Sequence, residues 1–142
     1  MGQAREVVER FYERFGAGDF DGAEACFTPD CTNVEPFGGT MDMTAWRQYG
    51  EAFKAGVPDA HMEVDSFVED GDRVAVQARF VGVHSAPLMT PQGELPPSGR
   101  AIDLAFADFF ALRDGKIAEH RVYYDQMAFM QQLGLMPESP AG

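Results

Sequence analysis

Between Arg100 and Arg113, Ile102, Leu104, Phe106, Asp108, Phe110 and Leu112 recur at every second position. Successive side chains of a strand point to opposite faces, so these six share one face of a long strand. A large apolar face of that length has to be covered by a second layer of structure. Asp108 interrupts the face. An ionised carboxylate there is costly unless it is paired or hydrogen-bonded. A carboxyl that keeps its proton can donate to a developing oxyanion or act as a general acid. The other readings are a core aspartate bonded to a nearby Arg or Tyr, and a bulge that turns Asp108 outward.

The N-terminal half supplies helices as the covering layer. Val7, Val8, Phe11, Tyr12 and Phe15 follow helical spacing, which predicts an amphipathic helix over 3–15 stopped by Gly16 and Gly18. Asp19 can cap a second helix that buries Phe20, Ala23 and Phe27 and ends at Thr28-Pro29-Asp30. A short extended piece from Cys31 to Phe37 runs into Gly38-Gly39. Asp42 or Thr44 can cap a third helix with Trp46, Tyr49 and Phe53 on one face. From residue 60 the period becomes two. Met62, Val64, Ser66 and Val68 form one apolar face, and Val74, Val76, Ala78 and Phe80 the next, across the turn at 69–72.

His84 to Gly99, with Pro87, Pro91, Pro96 and Pro97, reads as a long connection and a candidate flap. Asp114-Gly115 turns the chain into a last strand, and 126–133 reads as a short closing helix. The expectation is one α+β domain over 1–136, followed by a loose tail over 137–142. In it, a curved, mostly antiparallel sheet wraps around N-terminal helices and encloses an apolar pocket.

Charge narrows the partners. Eleven Lys and Arg against 23 Asp and Glu give a net charge of −12 in 142 residues. Nucleic acid and anionic membranes both demand a basic surface, so neither is expected. No apolar run approaches the roughly 20 residues of a membrane span, and the start lacks a signal-peptide pattern. Cys26 and Cys31 read as reduced thiols, and His61, His84 and His120 match no metal spacing. A cytoplasmic protein with no metal, acting on a small apolar molecule, is the expectation. There is no glycine-rich phosphate loop, serine nucleophile elbow or Cys/His signature. Proton transfer without a cofactor is therefore the natural enzyme class.

Three further residues are candidates beside Asp108. Asp125 ends the last strand and either caps the following helix or acts on substrate. Glu35 precedes a Pro/Gly turn and faces either a pocket mouth or solvent. His84 shares parity with Val76, Ala78 and Phe80, as a core histidine or a base. Phe11, Tyr12, Phe15, Trp46, Phe53, Phe106, Phe110 and Tyr124 are core residues or, in the pocket reading, substrate contacts. The last strand is ambiguous. Ile117, Glu119, Arg121, Tyr123 and Asp125 lie on one side, and Ala118, His120, Val122 and Tyr124 on the other.

Several short pieces appear in a recognisable order: Gly18-Asp19, Phe27-Thr28-Pro29-Asp30, Gly82-Val83-His84, Pro97-Ser98-Gly99-Arg100, Asp114 to His120, and Asp125 followed by Gln131-Gln132-Leu133-Gly134. Over about residues 5–136 the chain resembles the SnoaL-like polyketide cyclases of the nuclear transport factor 2-like (ketosteroid isomerase-like) superfamily. The resemblance implies a cone-shaped fold with an interior pocket, and a homodimer paired through the outer sheet face. It also implies an intramolecular aldol ring closure with Asp125 as general acid/base. Arg121 stands where that family usually has Trp.

Glu35-Pro36-Phe37-Gly38 is similar to the base-bearing segment of ketosteroid isomerases, with Glu35 at the base position and Asp108 at their oxyanion-hole aspartate. Their oxyanion-hole tyrosine falls at Phe11, one residue from Tyr12. An isomerase, an epoxide hydrolase-like enzyme and a non-catalytic binding or dimerisation module are the alternatives that this fold carries.

Overall fold

The computed structural model describes residues 2–90 and 93–137. Two long helices, α1 (Gln3–Gly16) and α3 (Met43–Gly56), with the short α2 (Phe20–Glu24) between them, pack into the concave face of a six-stranded sheet. The strands are β1 (Phe27–Glu35), β2 (Gly39–Met41), β3 (His61–Asp70), β4 (Arg73–Val83), β7 (Ala101–Arg113) and β8 (Lys116–Tyr124), in the order β2-β1-β8-β7-β4-β3. Every neighbouring pair is antiparallel except β1 and β8. A separate small hairpin, β5 (Leu88–Thr90) and β6 (Gly93–Leu95), forms within the connection after β4. Helix α4 (Gln126–Gln132) follows β8. This is the curved, unclosed α+β sheet around helices that the period change announces.

Local chemistry sets the helix ends. Asp19 accepts from the Gly22 amide at 2.9 Å and Asp42 from the Ala45 amide at 2.8 Å. The start of α1 is capped from across the sheet, where the Glu69 carboxylate accepts from the amides of Gly2 and Arg5. Val7, Val8, Phe11, Tyr12 and Phe15 are all buried, so α1 is covered on more than one face. No helix among the described residues is long and apolar enough to cross a membrane.

Three departures from the sequence pattern have physical causes. First, Phe27 does not close a helix. It opens β1, because this segment pairs in parallel with β8, Phe27 opposite Ile117. Second, a register shift between Val64 and Ser66 bulges β3. Met62 still faces inward, but Phe67 takes over the inner face and Val68 is 64% exposed. Third, β8 carries a register shift against β7 near Ala111 and Leu112. It lets Ile117 from one parity and His120, Val122 and Tyr124 from the other all turn inward.

Strand β2 and the β5/β6 hairpin are extra elements, the latter in a stretch expected to be loop. Pro91, and residues 138–142 of the expected tail, lie outside the described residues. Asp108 stays in register opposite Val76 and is 3% exposed, so no bulge turns it outward.

The sheet closes tightly over the loop after α3. A methyl group at Gly82 would come within 2.5 Å of Val57 Cγ1 and 3.2 Å of Ala60 Cα. Both neighbours are fully buried. Overpacking of this kind costs about 1–3 kcal/mol. Gly82→Ala is therefore expected to lower Tm by several degrees in a thermal melt, and an unchanged Tm would contradict the packing described.

Candidate functional site

The core leaves a cavity of about 130 Å³ between the helices and the sheet. Its wall is mostly apolar: Phe11 and Phe15 from α1, Trp46 and Phe53 from α3, Phe80 from β4, Leu104 and Phe106 from β7, and Phe129 from α4. Polar atoms enter it in two groups.

The first group is a buried chain of hydrogen bonds. Tyr12 donates its hydroxyl to Asp108 Oδ2 at 2.6 Å. His120 Nε2 lies 3.0 Å from Asp108 Oδ1, and its Nδ1 lies 3.2 Å from Asn33 Oδ1. The Asn33 amide nitrogen points to the Met43 sulfur at 3.3 Å. Phe110 stacks flat on the His120 ring, with centroids 4.7 Å apart and planes within 2°. Strand pairing assembles the group, because Asn33 and His120 are register partners and Asp108 sits opposite Val122. Burial, and then the neighbouring Asp108, push the Tyr12 phenol far above its ordinary value, so it stays a donor.

The second group surrounds Glu35, which is 6% exposed. Tyr49 from α3 and Tyr124 from β8 each donate to Glu35 Oε2 at 3.0 Å, and their hydroxyls are 3.4 Å apart. Burial is the main cause that raises both phenols above their ordinary value, and the Glu35 charge adds to it. Glu35 Oε1 is buried and has no hydrogen-bond partner among the described residues.

The cavity thus brings together Glu35, Asp108, Phe11, Phe15, Trp46, Phe53, Phe106 and Tyr124 from the sequence candidates. Tyr12 and Phe110 are not in its wall, since they support Asp108 and His120 from behind. The structure gives Asp108 a tyrosine partner on α1, and it is Tyr12, while Phe11 next to it faces the cavity.

Asp125 stands apart. It is exposed, and its Oδ1 caps α4 by accepting from the amides of Met127 and Ala128 at 2.9 and 3.1 Å. His84 is 1% exposed, bonded through Nδ1 to Ser98 Oγ at 2.9 Å, and not part of the wall. Three polar wall residues were not among the candidates: His120, Asn33 and Tyr49. His120 shares its parity with Val122 and Tyr124, and Tyr49 shares the Trp46 and Phe53 face, so both carried a signal. Among the described residues no group of three or more His, Cys, Asp or Glu could hold a metal ion.

Residues 6–133 match the SnoaL-like polyketide cyclases. The chain belongs to this family. A protein from Jannaschia sp. CCS1, assigned as a SnoaL-like polyketide cyclase, superposes with a TM-score of 0.81 at 27% identity, covering 95% of this chain and 94% of the other. IdmH from Streptomyces antibioticus, assigned as a polyketide cyclase, gives 0.80 at 27% identity, with 94% and 99% covered. AclR from Streptomyces galilaeus, assigned as a hydroxylase, gives 0.84 at 20% identity, with 97% and 85% covered, and at that identity shares the fold alone. No curated protein matches the chain. The likeness to SnoaL-like chains covers every element that builds the cavity, from α1 to α4.

One buried and two half-buried phenols set the alkaline behaviour of this family member. Tyr12, Tyr49 and Tyr124 all hold their protons more tightly folded than unfolded. The unfolded chain therefore binds fewer protons above about pH 10, and stability falls as pH rises there. The stabilisation is fully present below the unfolded phenol value. In a titration followed by tyrosinate absorbance, three of the four tyrosines are expected to ionise only as the fold is lost. Ordinary reversible titration of all four while the far-UV spectrum stays native would refute this.

Proposed function

We propose that the cavity is the active site of an enzyme that moves protons on a small, apolar, enolisable carbonyl compound. Intramolecular aldol ring closure is the leading reaction. The observation that carries this reading is Glu35. One of its oxygens is held by two phenols, and the other is buried in an apolar wall without a partner. An oxygen left without a donor keeps its lone pairs free for a proton.

In the proposed step, Oε1 takes a proton from the carbon next to the substrate carbonyl. The C–H electron pair becomes that of the enolate. The enolate carbon attacks a second carbonyl of the same molecule, and the new alkoxide takes the proton from Glu35, which returns to its ionised form. His120 and Asp108, hydrogen-bonded to each other in the same wall, have both carboxyl oxygens and both ring nitrogens engaged and keep their side of the cavity in place. Asn33 and Tyr12 hold that pair at its two ends. The aromatic wall suits a flat apolar substrate, and membership of the polyketide cyclase family supports ring closure over other enolate chemistry.

The isomerase reading uses the same Glu35 and Asp108 and differs only in where the proton returns. Two carboxyl groups in an apolar cavity weigh against a purely structural module. In this scheme Asp125 is the cap of α4 and not the base.

Mutation separates these roles. General acid–base catalysis is worth about 10²–10⁴-fold, so Glu35→Gln is expected to lower turnover of an accepted poly-β-carbonyl substrate by that order. Asp125→Ala should leave the rate near wild type while destabilising the fold by about 0.5–2 kcal/mol through the lost cap. The reverse pattern, with Glu35→Gln active and Asp125→Ala dead but folded, would reject Glu35 as the base.

A further inference from the structure

The two phenols around Glu35 do more than satisfy it. Tyr49 and Tyr124 come from different layers, α3 and β8, yet both direct their hydroxyls at one carboxylate oxygen, Oε2, and leave the buried Oε1 without a donor among the described residues. Both rings are half-buried and line the cavity. Their 3.4 Å separation keeps them together as a pair of donors. Near neutral pH they remain hydroxyls, so neither is itself the base.

We propose that Tyr49 and Tyr124 are catalytic residues that transfer their hydrogen bonds from Glu35 to the substrate oxygen as Glu35 takes the proton. This rests on Glu35 being the base. The α-hydrogen and the carbonyl oxygen of an enolisable carbonyl sit on adjacent carbons and can face the same way, much as the two oxygens of a carboxylate do. A substrate that presents its C–H to Oε1 therefore lays its carbonyl oxygen on the side of Oε2, where the phenols stand.

Before the step, the negative charge is on Glu35 and the phenols donate to it. The proton then moves from carbon to Oε1, the C–H electron pair passes into the enolate, and the charge appears on the substrate oxygen. Glu35 is now neutral and a weaker acceptor, and the enolate oxygen is the stronger one. The hydroxyl hydrogens re-aim without either phenol losing its proton. The donors serve the charge wherever it resides, which favours the transition state over the ground state.

The test uses 4-nitrophenol, whose anion mimics an enolate oxygen on a flat ring and absorbs visible light. Glu35→Gln stands in for the base after it has accepted the proton. Binding is measured by the absorbance of the bound anion for the wild type, Glu35→Gln, and Glu35→Gln combined with Tyr49→Phe and Tyr124→Phe. Glu35→Gln is expected to bind the anion at least tenfold more tightly than the wild type. Removing both hydroxyls in that background should return affinity to the wild-type level. Equal anion affinity with and without the hydroxyls would overturn the proposal, as would the absence of any gain in Glu35→Gln.

If the double Phe variant fails to fold, 3-fluorotyrosine at position 124 in Glu35→Gln provides a sharper donor with the same shape. Tighter anion binding then supports the proposal, and unchanged binding overturns it. Turnover distinguishes the two levels of failure. If Glu35→Gln keeps wild-type turnover, the base itself is misassigned. If Glu35→Gln is inactive and the phenols do not affect anion binding, only the transfer of donors is wrong.

Discussion

Asp108 is held by two hydrogen bonds that tie it to both layers of the fold, one with Tyr12 on α1 and one with His120 on the neighbouring strand β8. Removing either partner leaves a buried carboxyl oxygen unsatisfied, which costs about 1–3 kcal/mol or more for a charged group. The geometry therefore fixes where α1 can lie against the sheet. It also fixes the register of β7 against β8, which places Phe110 flat on the His120 ring. The cavity wall follows from these constraints. With Tyr12 committed to Asp108, Phe11 and Phe15 are turned towards the empty interior. A carboxyl in the longest apolar face of the chain is thus both a hazard to stability and the point about which the layers are aligned.

The two polar groups of the cavity are built in different ways. Around Asp108 both carboxyl oxygens are engaged, and His120 is bonded at both ring nitrogens. That network is closed and rigid, as fully satisfied buried networks are. Around Glu35 the satisfaction is lopsided, with two donors on one oxygen and none on the other. The contrast divides the wall into a part that holds shape and a part with unused bonding capacity. Asn33 and Glu35, two residues apart on β1, place the two parts side by side on one face of one strand.

The order of helices and strands was legible because it depends on local periods. The faces of α1, β4 and β7 keep one period throughout, and their apolar residues are buried apart from the half-buried Phe80. Asp108 could be singled out because it breaks a local pattern, and Glu35 because it precedes a Pro/Gly turn. What local pattern could not carry was pairing across the chain. Tyr12 meets Asp108 across 96 positions and His120 meets Asn33 across 87, and no spacing announces either contact.

Register shifts hid the rest. A single extra residue reverses which side chains face inward, so β3 exposes Val68 and β8 turns His120 inward although Ile117 of the opposite parity is also buried. Asp125 drew attention as a carboxylate at the end of a strand, but two amides of the next helix hold its Oδ1 as a cap. The curved sheet is open, and so it has two rims. One rim is β2, only three residues long, too short a template for another strand. The other is β3, with ten residues and one side free of partners in the sheet. Here the bulge bends the strand, and Glu63, Asp65, Glu69 and Asp70 stand along it, with Glu63 paired to Arg79 and Glu69 capping α1. A second chain offering the same strand would bring its own four acids against these. A bulged edge that carries acids is a poor template for a further strand, so part of the acidic surplus of the sequence falls where an open sheet is most exposed to pairing.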